Sequence, residues 1–238
     1  MANNKKIPNI KNIKVELRNK LLSDMRSKKA EYIKRVDKLH VYIAQPNKKT
    51  KEMFSVSLMP VLDCKNCGAC SGLCYDLRND CIHESCRNTR ARNSAIYACD
   101  PERFFNEIQT FVYTQRFFRY NIGGDMPDAT YFDGVVRVAE NTPGCEFLIF
   151  TKMFSIVNDF LDSGHVIPKN LHVVFSNWIG QKEDNPYNLP TSNPLFFDGR
   201  TTAKDGDSWC NGNCAECFRA GEGCWALKTG EGVVFPIH

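Results

Sequence analysis

Nowhere in the 238 residues does an apolar run approach the roughly 18 residues that a membrane-spanning helix requires. The opening stretch MANNKKIPNIKNIK carries lysines but no apolar centre of the kind that marks a secretory signal. There is no phosphate-binding Walker loop, no complete dinucleotide fingerprint and no Ser-His-Asp arrangement. Repeats of fold-sized period and low-complexity tracts are also missing. These absences argue against a membrane partner, a solenoid, and the commonest nucleotide-dependent and serine-hydrolase chemistries. What remains is a chain of ordinary globular composition, 42% hydrophobic and 24% charged, long enough to bury a core without disulfide support. The expected setting is a reducing cytoplasm, where clustered cysteines serve more often as ligands than as disulfides.

Cysteine is the residue in excess, with 12 in the chain. Six fall in one stretch, DCKNCGACSGLCYDLRNDCIHESC from Asp63 to Cys86. A buried free Cys acts as a small apolar side chain and has no reason to recur every three or four positions. Short spacings instead let one turn of chain aim several sulfurs at one centre, as zinc and iron–sulfur sites need. Cys64, Cys67, Cys70 and Cys74 could complete a four-ligand site. Alternatively, three of them could hold a cluster with one open iron, leaving Cys81, His83 and Cys86 as candidate ligands for a second metal. The tail CNGNCAECFRAGEGC repeats the theme with Cys210, Cys214, Cys217 and Cys224, and its glycines relieve the tight loops such a site imposes. Cys99 and Cys145 lie outside both sets and read as core thiols.

The formal charge of +4 conceals an asymmetry. Residues 1–51 hold 15 Lys and Arg against 4 Asp and Glu, a local net of +11, which leaves −7 for the rest. A basic arm on an acidic body suggests nucleic acid or another polyanion as a partner of residues 5–51; the plainer reading is a solvated helix face. After a flexible leader over 1–12, Val15 to Val36 reads as an amphipathic helix with Leu17, Leu21, Leu22, Met25, Tyr32, Ile33 and Val36 on one side. The alternation Leu39, Val41, Ile43, a turn at Gln45–Lys48 and a strand over Met53–Leu58 predict a hairpin.

Helices are expected over 84–98, from the Asp100-Pro101-Glu102 start, over 129–140 and over 154–161. Strands are expected over 117–122, 146–150 and 171–175, with a closing strand over 233–235. Residues 180–209 read as a long irregular connection with one short strand. Alternating strands and helices imply an α/β fold with a parallel sheet. In such sheets ligands gather beyond the carboxyl ends of the strands. The unusual polar stretches all sit there: the cysteine loop, Gly123-Gly124-Asp125, Thr151-Lys152 and Ser176-Asn177-Trp178. They should therefore converge on one rim. Gly123 and Gly124 let backbone approach a ligand, Asp125 offers a carboxylate, and Lys152 could meet a carboxylate or phosphate. The bland alternatives are a strand-end turn and a surface lysine. Trp178 and Trp225 read as packing residues, and His165 and His172 show no ligand spacing.

The series FSVSLMPVLDC…CSGLCYD, FRYNIGGDM, FLIFTK and CAEC…GCW…VVF resembles a family of phage and prophage proteins named for mycobacteriophage gene product 88. More distantly, it resembles phage proteins of the radical S-adenosylmethionine type. The resemblance spans roughly 54–238 and rests on Cys64, Cys70, Cys74-Tyr75, Gly124-Asp125, Thr151-Lys152, Cys214, Cys217, Cys224-Trp225 and His238. It leaves the basic helix outside. Asp76, Gly123 and Met126 depart from the family pattern, and Cys67, Cys81 and Cys86 are additional. The radical-enzyme spacing C-x-x-x-C-x-x-C is missing from the first set and present in the tail, at Cys210, Cys214 and Cys217. The resemblance implies a partial or complete parallel (β/α) barrel and a 4Fe-4S cluster, with zinc as the alternative or second metal and S-adenosylmethionine as a candidate cofactor. Gly123, Gly124, Asp125, Thr151 and Lys152 would then line the cofactor site, with Asp125 and Lys152 as the catalytic candidates, in the cytoplasm of a bacterial host. Three regions are expected: a basic extension over 1–51, an α/β core over 52–209 and a metal-binding tail over 210–238.

Overall fold

The computed structural model describes residues 15–46, 52–68, 70–196 and 198–236. At its centre is a seven-stranded sheet in which every neighbouring pair runs parallel. In chain order the strands are β1 (Phe54–Val56), β2 (Phe117–Tyr120), β3 (Glu146–Thr151), β4 (Leu171–Ser176), β5 (Thr191–Leu195), β6 (Ser208–Trp209) and β7 (Gly232–Pro236). Their spatial order is β1-β2-β3-β4-β5-β7-β6. From β1 to β5 the chain steps in one direction without reversing. With right-handed crossovers, such a progression lays its helices on one face of the sheet. The sheet is open, with β1 and β6 as its edges, which is the partial form of the expected barrel.

The helices are α1 (Val15–Ile33), α2 (Tyr75–Ile82), α3 (Glu84–Cys99), α4 (Pro101–Val112), α5 (Ala129–Asn141), α6 (Phe154–Asp162) and α7 (Cys214–Ala220). Asp100 caps α4 by accepting from the Arg103 amide at 2.9 Å, with Pro101 in the first turn. Asp128 caps α5 in the same way, accepting from Tyr131 at 3.0 Å. Period-two alternation sends Phe118 and Tyr120, Phe147 and Ile149, and Val173 and Phe175 to the helix-covered face, against Phe104, Phe105, Tyr131 and Phe132. Each such side chain contributes about 1.5–3 kcal/mol on burial.

The opposite face holds a smaller core. Phe117, Leu148 and Val174 meet Ala215 and Trp225, so the cysteine-bearing tail covers what the helices leave bare. A third cluster docks α1 on α3: Leu21, Leu22 and Met25 pack with Met59, Leu77 and Ala91. No helix of the described residues is long and apolar enough to cross a membrane.

Several local expectations are corrected. Leu39, Val41 and Ile43 form no strand; they pack as extended chain against the main core. The hairpin reduces to one antiparallel bridge, Ala44 to Ser55, because β1 is claimed by β2 in parallel. α1 ends at Ile33, and Leu17 and Ile33 are exposed, while Leu21, Leu22 and Met25 carry its contact with the α3 cluster. α2 interrupts the expected cysteine loop, and Cys214 and Cys217 lie on a short helix rather than in a loop. Residues 180–209 hold two strands, not one. Cys145 is buried as expected, whereas Cys99 is exposed at the end of α3. The leader over 1–12, basic residues 5–14 and 47–51, and His238 lie outside the described residues.

Gly134 gives a test of this packing. It sits on α5 where a Cβ would overlap the Phe105 ring of α4. Alanine in a helix normally gains about 1 kcal/mol over glycine. Here overpacking, typically about 1–3 kcal/mol, outweighs that gain. Gly134→Ala should therefore lower the urea midpoint at unchanged m-value; a raised midpoint would show that the two helices are not in close contact.

Candidate metal centre

The loops after β1, β2, β3 and β4 do meet, and hydrogen bonds stitch them together. The Leu58 amide donates to the Gly123 carbonyl at 3.2 Å, and Tyr75 Oη donates to the Ile122 carbonyl at 2.5 Å. Asn66 Nδ2 donates to the Lys152 carbonyl at 2.9 Å, and Lys152 Nζ donates to Ser176 Oγ at 2.6 Å. The Lys152 ammonium also lies 5.5 Å from the centre of the Trp178 ring, a cation–π distance.

Asp125 is the junction. Its Oδ1 accepts from the Met126 amide and from Thr151 Oγ1, both at 2.7 Å, and its Oδ2 accepts from the Lys152 amide at 2.8 Å. Both carboxylate oxygens are therefore engaged by the protein. Burial pushes its pKa up, while these donors and the Lys152 charge oppose the rise. Gly124 has φ of +79°, and a Cβ there would lie 2.9 Å from the Leu58 carbonyl oxygen. Only glycine allows that approach without strain.

Asp76 and Gly123 meet on one side chain. Arg90 of α3, 8% exposed, donates to Asp76 Oδ1 at 2.6 Å and to Asp80 Oδ1 at 2.8 Å. A Cβ on Gly123 would lie 2.6 Å from the Arg90 guanidinium carbon. Asp76 supplies charge to Arg90, and Gly123 supplies room for it. Burial pushes Asp80 up to about 6, and Arg90 opposes that rise.

The rim thiols form a chain of neighbours. The neighbouring Cys64 thiol pushes the Cys67 thiol up to about 11, and the neighbouring Cys67 pushes Cys70 up further; Cys70 Sγ donates to the Cys67 carbonyl at 3.9 Å. Burial carries Cys74 up to about 12, with Cys70 and Cys67 close enough to add to the rise. Lys152 is close enough to Cys70 to lower its pKa. All 12 cysteines are free thiols. Among the described residues, no three His, Cys, Asp or Glu side chains converge as placed on one ion. The donor chemistry fits a thiophilic metal, whose binding would displace the thiol protons. Cys81 packs instead beside the α1–α3 cluster, His83 is exposed at the α2–α3 junction, and Cys86 lies in the first turn of α3.

The tail set sits on the bare face of the sheet. Cys214, Cys217 and Cys224 pack against its core, and Cys210 is exposed. Burial pushes Cys224 up to about 12, with Cys210, Cys214 and Cys217 adding to the rise. Gly223, with φ of +60°, lies where a Cβ would be 3.0 Å from Cys217 Sγ, so the turn leaves space for the sulfur. Trp225 Nε1 donates to the Cys214 carbonyl at 2.9 Å, which makes it a packing residue as expected. Arg119 also faces this set, a residue the motif reading passes over. The signal for it was a lone cation inside the otherwise aromatic strand FFRY.

The family model described as gene product 88 matches residues 20–193. No curated protein and no solved structure matches the chain. The expected span of 54–238 is thereby corrected at both ends. The match takes in most of α1, which docks on the core, and stops before the tail cysteines.

The Asp125 junction predicts a structural cost for its neutralisation. Asp125→Asn turns an amide NH2 toward backbone donors and should cost about 1–3 kcal/mol. Thr151→Val removes one donor and should cost about 1 kcal/mol. Denaturant titration checks both; an unchanged midpoint for Asp125→Asn would mean that the carboxylate does not hold the rim together.

Proposed function

The chain belongs to the gene product 88 family, and from that premise we propose that it is a thiolate-metal protein, with an iron–sulfur cluster held by the rim cysteines. The observation that carries this reading is the run of neighbouring thiols on the loop after β1, with Lys152 of the loop after β3 beside Cys70, beyond the carboxyl ends of parallel strands. That is where α/β sheets bind ligands. Cys67, Cys70 and Cys74 hold the cluster, with Cys64 as the fourth ligand or its replacement by an open position. Bound there, a cluster supplies one-electron chemistry, while the protein supplies position and electrostatics.

The chain's own residues divide the work. Asp125 and Thr151 fix the peptide of Lys152, and the Lys152 ammonium, over Trp178 and beside Ser176, is the group available for a carboxylate. Gly123 and Gly124 make room for Arg90 and the Leu58 carbonyl, so their part is to pack the rim from within. An amino-carboxylate cofactor such as S-adenosylmethionine fits this combination, which makes a radical-type enzyme the finer form of the proposal. The tail cysteines hold a second thiolate centre. A cytoplasmic site of action, in a bacterial host, accords with this use of thiols.

A second reading is a zinc-stabilised nucleic-acid-binding protein in which both cysteine sets are structural. It is favoured by the exposed Lys20, Arg26, Lys34, Arg35 and Lys38 along and just after α1. Of these, only Arg35 has an acidic partner among the described residues, Glu31 at 2.7 Å.

Anaerobic purification followed by absorption spectroscopy and metal analysis of the same sample separates the two readings. Iron, acid-labile sulfide and broad visible charge-transfer absorption are expected, with the iron content reduced in Cys70→Ser and Cys74→Ser. Zinc alone, with no iron retained after reconstitution, overturns the cluster. Salt-sensitive binding to DNA or RNA would then be expected.

A further inference from the structure

Arg119 occupies an unusual position. The register sets it opposite Ser55 of β1 and Leu148 of β3, so it points to the face that the tail covers. Its Nη1 donates to Cys214 Sγ at 3.8 Å, and its guanidinium carbon lies 4.5 Å from the centre of the Phe150 ring. Its Nε is buried and has no hydrogen-bond partner among the described residues. No carboxylate lies within ion-pair distance of it there either: Asp76 pairs with Arg90, and Glu146 pairs with His172 at 2.9 Å. Arg119 is half-buried, and a cation partly withdrawn from water without a paired anion is unfavourable until an anion completes the site.

Asp76 is near enough to feel the charge of Arg119 but is paired with Arg90. Cys214 accepts from Arg119 and Cys224 also feels its charge, which makes the tail thiols the unpaired source of that anion. A divalent ion held by four thiolates is a doubly negative complex, and thiolate-ligated clusters are anionic as well. We propose that Arg119 is the counter-ion of a thiolate-metal centre built from Cys210, Cys214, Cys217 and Cys224, donating to Cys214 and offsetting the charge of the whole set. This rests on the reading of the tail cysteines as metal ligands. Arg119 is a positioning residue here and touches no metal. It explains why a charged side chain is kept in the middle of β2 among Phe117, Phe118 and Tyr120. It also makes the centre part of the sheet, so that loading the tail with metal bears on the core through β2.

Cobalt(II), whose thiolate complexes absorb visibly, is titrated into metal-free full-length protein, with zinc competition to give apparent affinities. The wild type is compared with Arg119→Met, Arg119→Lys and Cys214→Ser, the last defining the signal that belongs to the tail. Arg119→Met should weaken that signal's affinity about ten- to a hundredfold, the usual effect of removing an outer-shell partner, and Arg119→Lys should restore most of it. In the metal-free state, Arg119→Met should melt at the same temperature as wild type or higher, because an unpaired cation has left an apolar face. A merely structural arginine predicts the reverse. Undiminished affinity in Arg119→Met, or equal weakening in Arg119→Met and Arg119→Lys, overturns the inference alone. Absence of any Cys214-dependent cobalt signal in the wild type overturns it together with the metal reading of the tail. Should Arg119→Met not fold, Arg119→Gln takes its place in the same comparison with Arg119→Lys.

Discussion

Parallel pairing is the constraint on which the rest of this molecule depends. Once all seven strands run the same way, every strand ends at the same edge, and every loop that follows a strand opens onto one rim. Four loops with no sequence proximity are thereby brought together. The polar residues in them satisfy one another: Asn66 with Lys152, Tyr75 with Ile122, Asp125 with Thr151. A single carboxylate closes that set. Asp125 spans the ends of β2 and β3, and its three donors account for both oxygens. Burying a carboxylate is costly unless its lone pairs are used, and here they are.

The one-directional strand order has a second consequence. Helices cover one face, and the other face needs a different partner. The tail supplies it through Ala215, Phe218 and Trp225, with Phe117 and Phe218 rings 4.4 Å apart. The two cysteine sets consequently have different surroundings. The rim set stands at the open ends of strands beside a lysine that no acidic side chain pairs with among the described residues. The tail set stands on the face of the sheet, with Cys214, Cys217 and Cys224 against Phe117 and Trp225, Cys210 exposed, and Arg119 donating to Cys214.

α1 links the basic N-terminal region to this arrangement. Its apolar stripe rests on α3, and Lys29 reaches Asp63 at 3.2 Å, the residue that opens the cysteine loop. Asp63 in turn accepts from the Met59 amide at 3.0 Å and from Ser94 Oγ. A helix that looked like an appendage is thus braced against the start of the rim loop, and the family match beginning inside it agrees with that packing.

Local periodicity and capping determined much of this protein by themselves. The β-α-β alternation, the helix start at Asp100-Pro101, the parallel sheet and the shared rim all follow from patterns within short windows, where side-chain direction repeats every two or 3.6 residues. The clustering of cysteines was equally plain from spacing. Only tertiary structure decided that β1 pairs with β2 rather than with the segment before it, since both pairings satisfy the same local pattern. It alone showed that Asp125 is engaged by the protein on both oxygens, and that Gly123 makes room for Arg90. It alone set Arg119 against Cys214, 95 residues away in sequence. Hydrogen-bond partners and charge partners are chosen across the fold, by which side chains the sheet register brings face to face, and no window of sequence contains both members of such a pair.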